Sequence, residues 1–241
     1  MIKLVTVLKR REGMTRPEFE TRWLGIHAPI AAEFPKLRGY VLSFSIEEGE
    51  PSADGVAQLW FDDRRSAQWS YATDIGRNGS NDAKQYLGRR DHLLVSERWI
   101  ERPSDGAARP FKLLVGIKRP GGESRAGFVA RMAAADDAAL RAALDAAAVR
   151  LCVDEAGQQL NSGVSGALDL FESEACFDAM LEAWYPDADA LRRAAGRLEG
   201  SDALAALVAG GSRETILLNE NIVVAPPEHV QPAALLAGKK H

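Results

Sequence analysis

Cysteine is nearly missing from this chain: Cys152 and Cys176 are the two among 241 residues. Two thiols make no disulfide framework and no recognisable metal-ligand spacing. Both sit in apolar stretches, "RLCVDE" and "EACFDAM", where a cysteine reads as a small core residue. There is no marked excess of either charge. Thirty basic against 34 acidic side chains leave −4, which gives no pull toward nucleic acid or an anionic membrane surface. No apolar run reaches the roughly 18 residues of a membrane-spanning helix. The opening "MIKLVTVLKRREG" turns charged too early for a signal peptide, so the expected compartment is the cytoplasm. Neither G-x-x-x-x-G-K-[ST] nor G-x-G-x-x-G occurs, and there is no H-E-x-x-H, no C-x-x-C and no Ser-His-Asp order. No phosphate-binding loop, metal or cofactor is expected.

What is present is a repeat. "IKLVTVLKRREGMTRPEFETRW" (2–23) aligns without gaps on "FKLLVGIKRPGGESRAGFVARM" (111–132), sharing eight of 22 positions, among them Lys3/Lys112, Gly13/Gly122 and Phe19/Phe128. Likeness returns in the same order for "LWFDDRRSA" (59–67) with "DLFESEACF" (169–177), and for "LLVSERWI" (93–100) with "ILLNENIV" (216–223). The join "ERPSDGAARP" (101–110) is linker-like. The reading is a tandem duplication: a first unit over 1–102, a second, diverged unit over 110–225 and a tail over 226–241.

Each half reads as strand, helix, strand, strand, helix, strand. Thr15 caps the first helix, with Glu18 completing a capping box and Pro17 in the first turn. Ser124 repeats the cap without the Glu. Strands are expected over 2–9, 38–47, 55–62 and 91–101, and again near 149–155, 164–171 and 214–224. Ala-rich helices fall at 125–147 and 187–209. The polar, Gly-rich "IGRNGSNDAKQY" (75–86) reads as a mobile loop over a pocket mouth. A β-α-β-β-α-β order is the ferredoxin-like split βαβ unit, an α+β fold with helices on one sheet face. The exposed face of each sheet needs a cover. Two such units packed sheet to sheet, as a pseudo-symmetric α/β barrel within one chain, meet that need. The alternative is two modules that each dimerise between chains.

Four histidines occur, and His229 and His241 lie in the tail. On a helical wheel of about 100° per residue, Phe19, Trp23, Ile26, Ile30 and Phe34 form one apolar stripe, and His27 falls on its edge. Pro29 lacks an N–H and disturbs the turn beside that histidine. The second half has Asp136 in its place and no His-x-Pro. A core-edge histidine bonded to backbone is the plain reading; a proton-transfer residue is the sharper one.

The stretch "MIKLVTVLKRREGMTRPEFETRWLGIHAPIAAEFPKLRGYVLSF" resembles the start of an EthD-domain protein. The shared pattern is a strand, a basic turn, a Thr-x-x-Glu-Phe helix start, Trp, His-x-Pro and Leu-Arg-x-Tyr. The resemblance is strong over 1–47 and weaker on to 101. It implies the dimeric α/β barrel fold and a small hydrophobic, cyclic or aromatic substrate in a catabolic or polyketide-like pathway. Relatives include cofactor-free isomerases, cyclases, dehydratases and monooxygenases. On this reading His27 is the general acid or base, and Tyr40 steadies an oxyanion. Trp23, Phe34, Trp60, Trp69, Tyr86 and His92 are candidate substrate-binding residues. Asp91 and His92 are adjacent, so on a strand they face opposite ways and form no dyad. The expected protein is a monomer or homodimer with a small-molecule partner, a lyase or isomerase, or alternatively an oxidoreductase or a non-catalytic binder of a hydrophobic ligand.

Overall fold

The computed structural model describes residues 1–103, 109–154 and 176–227. The expected linker at 101–110, the strand near 164–171 and the tail with His229 and His241 lie wholly or partly outside them. Eight strands and eight α-helices are present among the described residues, a mixed α/β fold whose strand pairs are antiparallel. They divide into two compact units. The first holds Met1–Leu94 and Asn221–Pro227; the second holds the described part of 95–154 and Cys176–Glu220. No helix of the described residues is long and apolar enough to cross a membrane.

In the first unit, strand β1 (Ile2–Arg10) leads to α1 (Arg16–Arg22), a π-helical turn (Trp23–His27) and α2 (Ala28–Ala32). Then come β2 (Leu37–Ser45), β3 (Gly55–Phe61), α3 (Arg64–Ala72), α4 (Asp74–Ala83) and the start of β4 (Leu87–Glu101). Strand β3 lies between β1 and β2, with Leu59 opposite both Leu4 and Tyr40. Thr15 and Glu18 form the capping box reciprocally. Asp63 caps α3 through the Ser66 N–H, and Thr73 caps α4 through the Gly76 N–H. The expected loop over 75–86 is therefore mostly helix. Its glycines are needed for contact rather than for looseness. A Cβ on Gly76 would stand 2.3 Å from the Ser70 carbonyl oxygen, and one on Gly79 2.7 Å from the Phe34 ring.

The helical wheel holds as far as Trp23 and then fails. Phe19 and Trp23 are fully buried, but Ile26 is 48% exposed, and Ala28 and Ala31 are buried instead. The cause is the π turn, in which the Ala28 N–H reaches the Trp23 carbonyl, five residues back. Pro29 has no N–H for the carbonyl of Gly25, so the α pattern breaks there anyway. One extra residue in the turn rotates Ile26 outward and brings His27 in.

In the second unit β5 (Phe111–Lys118), α5 (Arg125–Ala133), α6 (Asp137–Leu144), β6 (Ala148–Val153), β7 (Ala179–Tyr185), α7 (Ala188–Leu198), α8 (Asp202–Val208) and β8 (Ser212–Val224) follow. The sheet order is β8-β5-β7-β6-β4. The partner of β5 is β7, so the counterpart of Trp60 is Trp184. Lys3 stands opposite Trp60 and Lys112 opposite Trp184 in register, with Nζ 5.7 Å and 5.8 Å from the ring centres. The pairing of "LWFDDRRSA" with "DLFESEACF" is thus corrected to "AWYPDADAL" (183–191).

Two glycine substitutions should move stability in opposite directions. Gly76→Ala, which presses on backbone, is expected to cost about 1–3 kcal/mol. Gly196→Ala, inside α7 with open space around it, is expected to add roughly 0.5–1 kcal/mol. Urea unfolding midpoints at constant slope check both.

Candidate active site

The cavity of the first unit lies between its sheet and helices. β1 contributes Thr6 and Leu8, β3 Ala57 and Leu59, and β2 Tyr40. The π turn adds Trp23 and His27, α4 adds Ser80 and Ala83, and Tyr71, Tyr86, Arg90 and His92 close it. Its volume of about 50 Å³ has room for a few water molecules.

His27 is mostly buried, and its Nδ1 lies 3.0 Å from Asp82 Oδ2. A carboxylate only accepts, so Nδ1 carries the hydrogen and Nε2 is left as the basic nitrogen. Asp82 is fixed in turn by Arg22, 2.6 Å from Oδ1. The pKa of His27 lies below its ordinary value. Burial is the main cause, opposed by Asp82 and helped by Arg22 and Arg90. The imidazole is therefore neutral at pH 7 and able to take a proton. The Tyr86 ring packs 5.4 Å from the His27 ring, centre to centre.

Tyr40 is fully buried, and its hydroxyl oxygen accepts the indole N–H of Trp23 at 3.2 Å; its own O–H remains available to donate. Burial raises its pKa well above 10, so it stays a phenol. His92 shares a 2.8 Å hydrogen bond with Thr6 through Nδ1. Burial, with Arg90 adding to it, pushes its pKa down to about 3, so it too is neutral. The neighbouring Asp91 pairs with Arg89 at 2.6 Å, apart from His92.

Of the candidate residues, His27, Tyr40, Trp23, Phe34, Tyr86 and His92 line this one cavity. Trp60 and Trp69 do not. Trp60 follows Leu59 on β3, so alternation turns it to the other sheet face, beside Lys3. Trp69 is 50% exposed, with the Lys36 ammonium over its ring. Sequence reading missed Asp82, Arg90 and Arg22. Asp82 was hidden because its helix reads as a loop; an acidic residue near the end of a Gly-bearing polar stretch carries no signal of its own.

A second group of ligating side chains belongs to the other unit. Glu97, Cys152 and Glu182 have donor atoms within 4.8 Å of one another. The Arg150 guanidinium lies 2.8 Å from each carboxylate, so a metal ion there would compete with a resident cation. Cys152 lies 3.4 Å from Glu182 Oε2; it is buried, but beside charge and not in a purely apolar pocket.

Residues 11–89 match the family model of the EthD domain. The matched stretch includes His27, Tyr40, Asp82 and Tyr86, while Thr6, Arg90 and His92 stand just outside it. A crystal structure of an ethyl tert-butyl ether D (EthD) family protein from Bacillus halodurans is 24% identical, covers 41% of this chain and 99% of its own, and superposes with a TM-score of 0.37. An anthrone oxidase-like protein covers 93% of this chain and 94% of its own at 7% identity, with a TM-score of 0.61. A provisionally assigned monooxygenase from Fusobacterium nucleatum covers 92% and 93% at 9% identity, with a TM-score of 0.53. The last two show a shared fold along nearly the whole chain. No curated protein matches the sequence.

The neutral histidines have a consequence for stability. Below about pH 6.5 the unfolded chain takes protons that His92 and His27 refuse in the fold. Stability is therefore full above that pH and falls as pH drops toward the folded values. The slope is up to about 1.4 kcal/mol per pH unit for each proton. Urea unfolding between about pH 6.5 and about pH 5 should show the fall, and His92→Gln should lessen its slope. An unchanged slope in that variant would show that His92 is not held neutral.

Proposed function

We propose that this protein is a cofactor-independent enzyme that moves a proton on a small hydrophobic, cyclic or aromatic metabolite. The observation that carries the reading is the Asp82–His27 pair at the wall of an aromatic cavity. Asp82 orients the ring and fixes the tautomer, and Nε2 removes a proton from the substrate as general base. Closed walls of Trp23, Phe34, Tyr71 and Tyr86 hold a flat ring and keep water away. Tyr40 donates to the oxygen on which negative charge gathers. Isomerisation, dehydration and cyclisation all begin with this step, and each ends when His27 returns the proton elsewhere.

The reading includes a tandem duplication of ferredoxin-like units in which the first kept the site. The shared Lys–Trp register of β1/β3 and β5/β7 supports it. In the second unit Asp136, the position aligned with His27, is the cap of α6 through the Ala139 N–H.

A second reading keeps the first step and changes the next. The fold is shared with an anthrone oxidase-like protein and a provisionally assigned monooxygenase. A carbanion formed by His27 that meets dioxygen instead of a proton would give cofactor-free oxygenation. Oxygen uptake during turnover separates the two.

Lactones, phenols and quinones are the compounds to screen. With any of them turned over, His27→Gln should lower kcat/KM by about 100- to 10,000-fold. The wild-type rate should be flat above about pH 6.5 and fall on acidification, because only the unprotonated ring works. Asp82→Asn removes the partner that raises the His27 pKa. It should lower kcat and shift the acid limb to still lower pH. A His27→Gln variant with wild-type turnover sinks the reading.

A further inference from the structure

We propose that the cavity binds its ligand as an oxyanion, the conjugate base of an enol or phenol, with the charged oxygen held by the Tyr86 hydroxyl and faced by Arg90. This rests on the proton-transfer reading of the same site and names the ligand chemistry that it serves.

The first observation is the Tyr86 hydroxyl. It is buried and has no hydrogen-bond partner among the described residues. Burial holds Tyr86 firmly in its protonated form, so it is a donor facing no acceptor. A buried polar group left in that state costs about 1–3 kcal/mol. Such a cost persists where a ligand supplies the missing partner, and a protonated hydroxyl offers its hydrogen to an acceptor.

The second observation is the sign of the charge around it. Arg90 lies on the cavity wall, and Arg22 stands behind Asp82. Asp82 is already bridged to Arg22 at 2.6 Å and bonded to His27. His27 and His92 are uncharged. Arg90 acts on His27, Tyr71, Tyr86 and His92 alike. In a site shut off from water, a positive group steadies an anion far more than it does in solution. A carboxylate ligand fits less well, because it brings no proton for His27 to take.

The proton balance is simple. With a carbonyl substrate, the C–H proton passes to His27 Nε2, the bonding pair becomes the new C=C bond, and the carbonyl electrons settle on oxygen as an enolate. With a phenol, the O–H proton leaves to His27 or buffer. Tyr86 keeps its own proton in both cases and donates a hydrogen bond.

The test uses the full chain and para-nitrophenol, whose phenolate is yellow and whose phenol is not. Wild type is expected to bind the yellow form and to lower the apparent pKa of the bound probe by at least about one unit, a tenfold preference for the anion. Tyr86→Phe and Arg90→Leu should each weaken phenolate binding about tenfold. Binding of nitrobenzene, which has no ionisable oxygen, should be unchanged in Tyr86→Phe, which also shows that its pocket is intact. If Arg90→Leu fails to fold, Tyr86→Phe decides alone. A probe that binds as the colourless phenol, or fails to bind, overturns the proposal. So does a Tyr86→Phe variant with wild-type phenolate affinity. Turnover and phenolate binding of the wild type separate the two readings. Phenolate binding retained with no turnover of any substrate sinks the enzyme and leaves the oxyanion site; turnover without anion preference does the reverse.

Discussion

The site depends on how Trp23 is packed. Its ring lies where a side chain on Gly55 would be, within 2.4 Å of a Cβ built there. Its indole N–H is bonded to Tyr40, and Phe19 and Phe44 each stack within 5.3 Å of it. A fully buried tryptophan fitted this way cannot rotate without emptying the core. It fixes the start of the π turn, and Pro29 fixes its end. A π turn is rare because its geometry is poorer than that of an α turn. Here it is the device that turns His27 inward from the stripe's edge and leaves the apolar Ile26 in water. The fold thus pays a hydrophobic burial to place a histidine in the cavity.

The two units handle buried polarity differently. In the second, Arg150 lies over the rings of both Trp99 and Trp184, 4.9 Å from each, and pairs with Glu97 and Glu182. Lys112 pairs with Glu220, which also takes the Trp184 indole N–H at 2.9 Å. Each charge there has an opposite partner, the condition under which buried ions are tolerated. The first unit keeps its cavity neutral by another route. Burial strips the protons from His27 and His92, and three phenols stay protonated because their anions would be desolvated. The result is a pocket of neutral donors and acceptors under the influence of Arg90, and it is poised for a ligand that brings or acquires a charge.

Much of this was legible in the residues. The capping box, the strands of the first half and the pairing of His27 with a local irregularity follow from local rules, and local rules apply where local interactions decide. Tyr40 and Leu42 share a face simply because strands alternate. What failed was long-range. Helix α4 carries Gly76, Asn78, Gly79 and Asn81, all poor helix formers, and its existence rests on the Thr73 cap and on contacts with Tyr71 and Phe34 that no window of sequence displays. Asp82 was lost with it. The wheel misplaced Ile26 because it assumes one helical period throughout. In the second half an apolar match drew the alignment to residues 169–177, whereas the paired Lys112 and Trp184 put the counterpart fourteen residues further on, at 183–191.

The Lys–Trp pair also marks the frame against which the two units differ. Residue for residue along β1 and β5, Lys3 answers to Lys112 and Val7 to Gly116, and in the helices Trp23 answers to Met132. The frame is kept, but it is filled otherwise. Met132 replaces the large ring, α5 continues without a π turn to Ala133, and the Phe177 ring lies within 2.4 Å of a Cβ built on Gly116. Each unit thus uses a bare glycine to seat an aromatic ring, Gly55 for Trp23 and Gly116 for Phe177. In the first, that ring comes from the helix and brings the π turn and His27 with it. In the second, it comes from residue 177, just before β7, and the helix is free of the constraint. The position of the helix residues follows the origin of the ring: His27 lines the cavity of the first unit, and Asp136, aligned with it, caps α6.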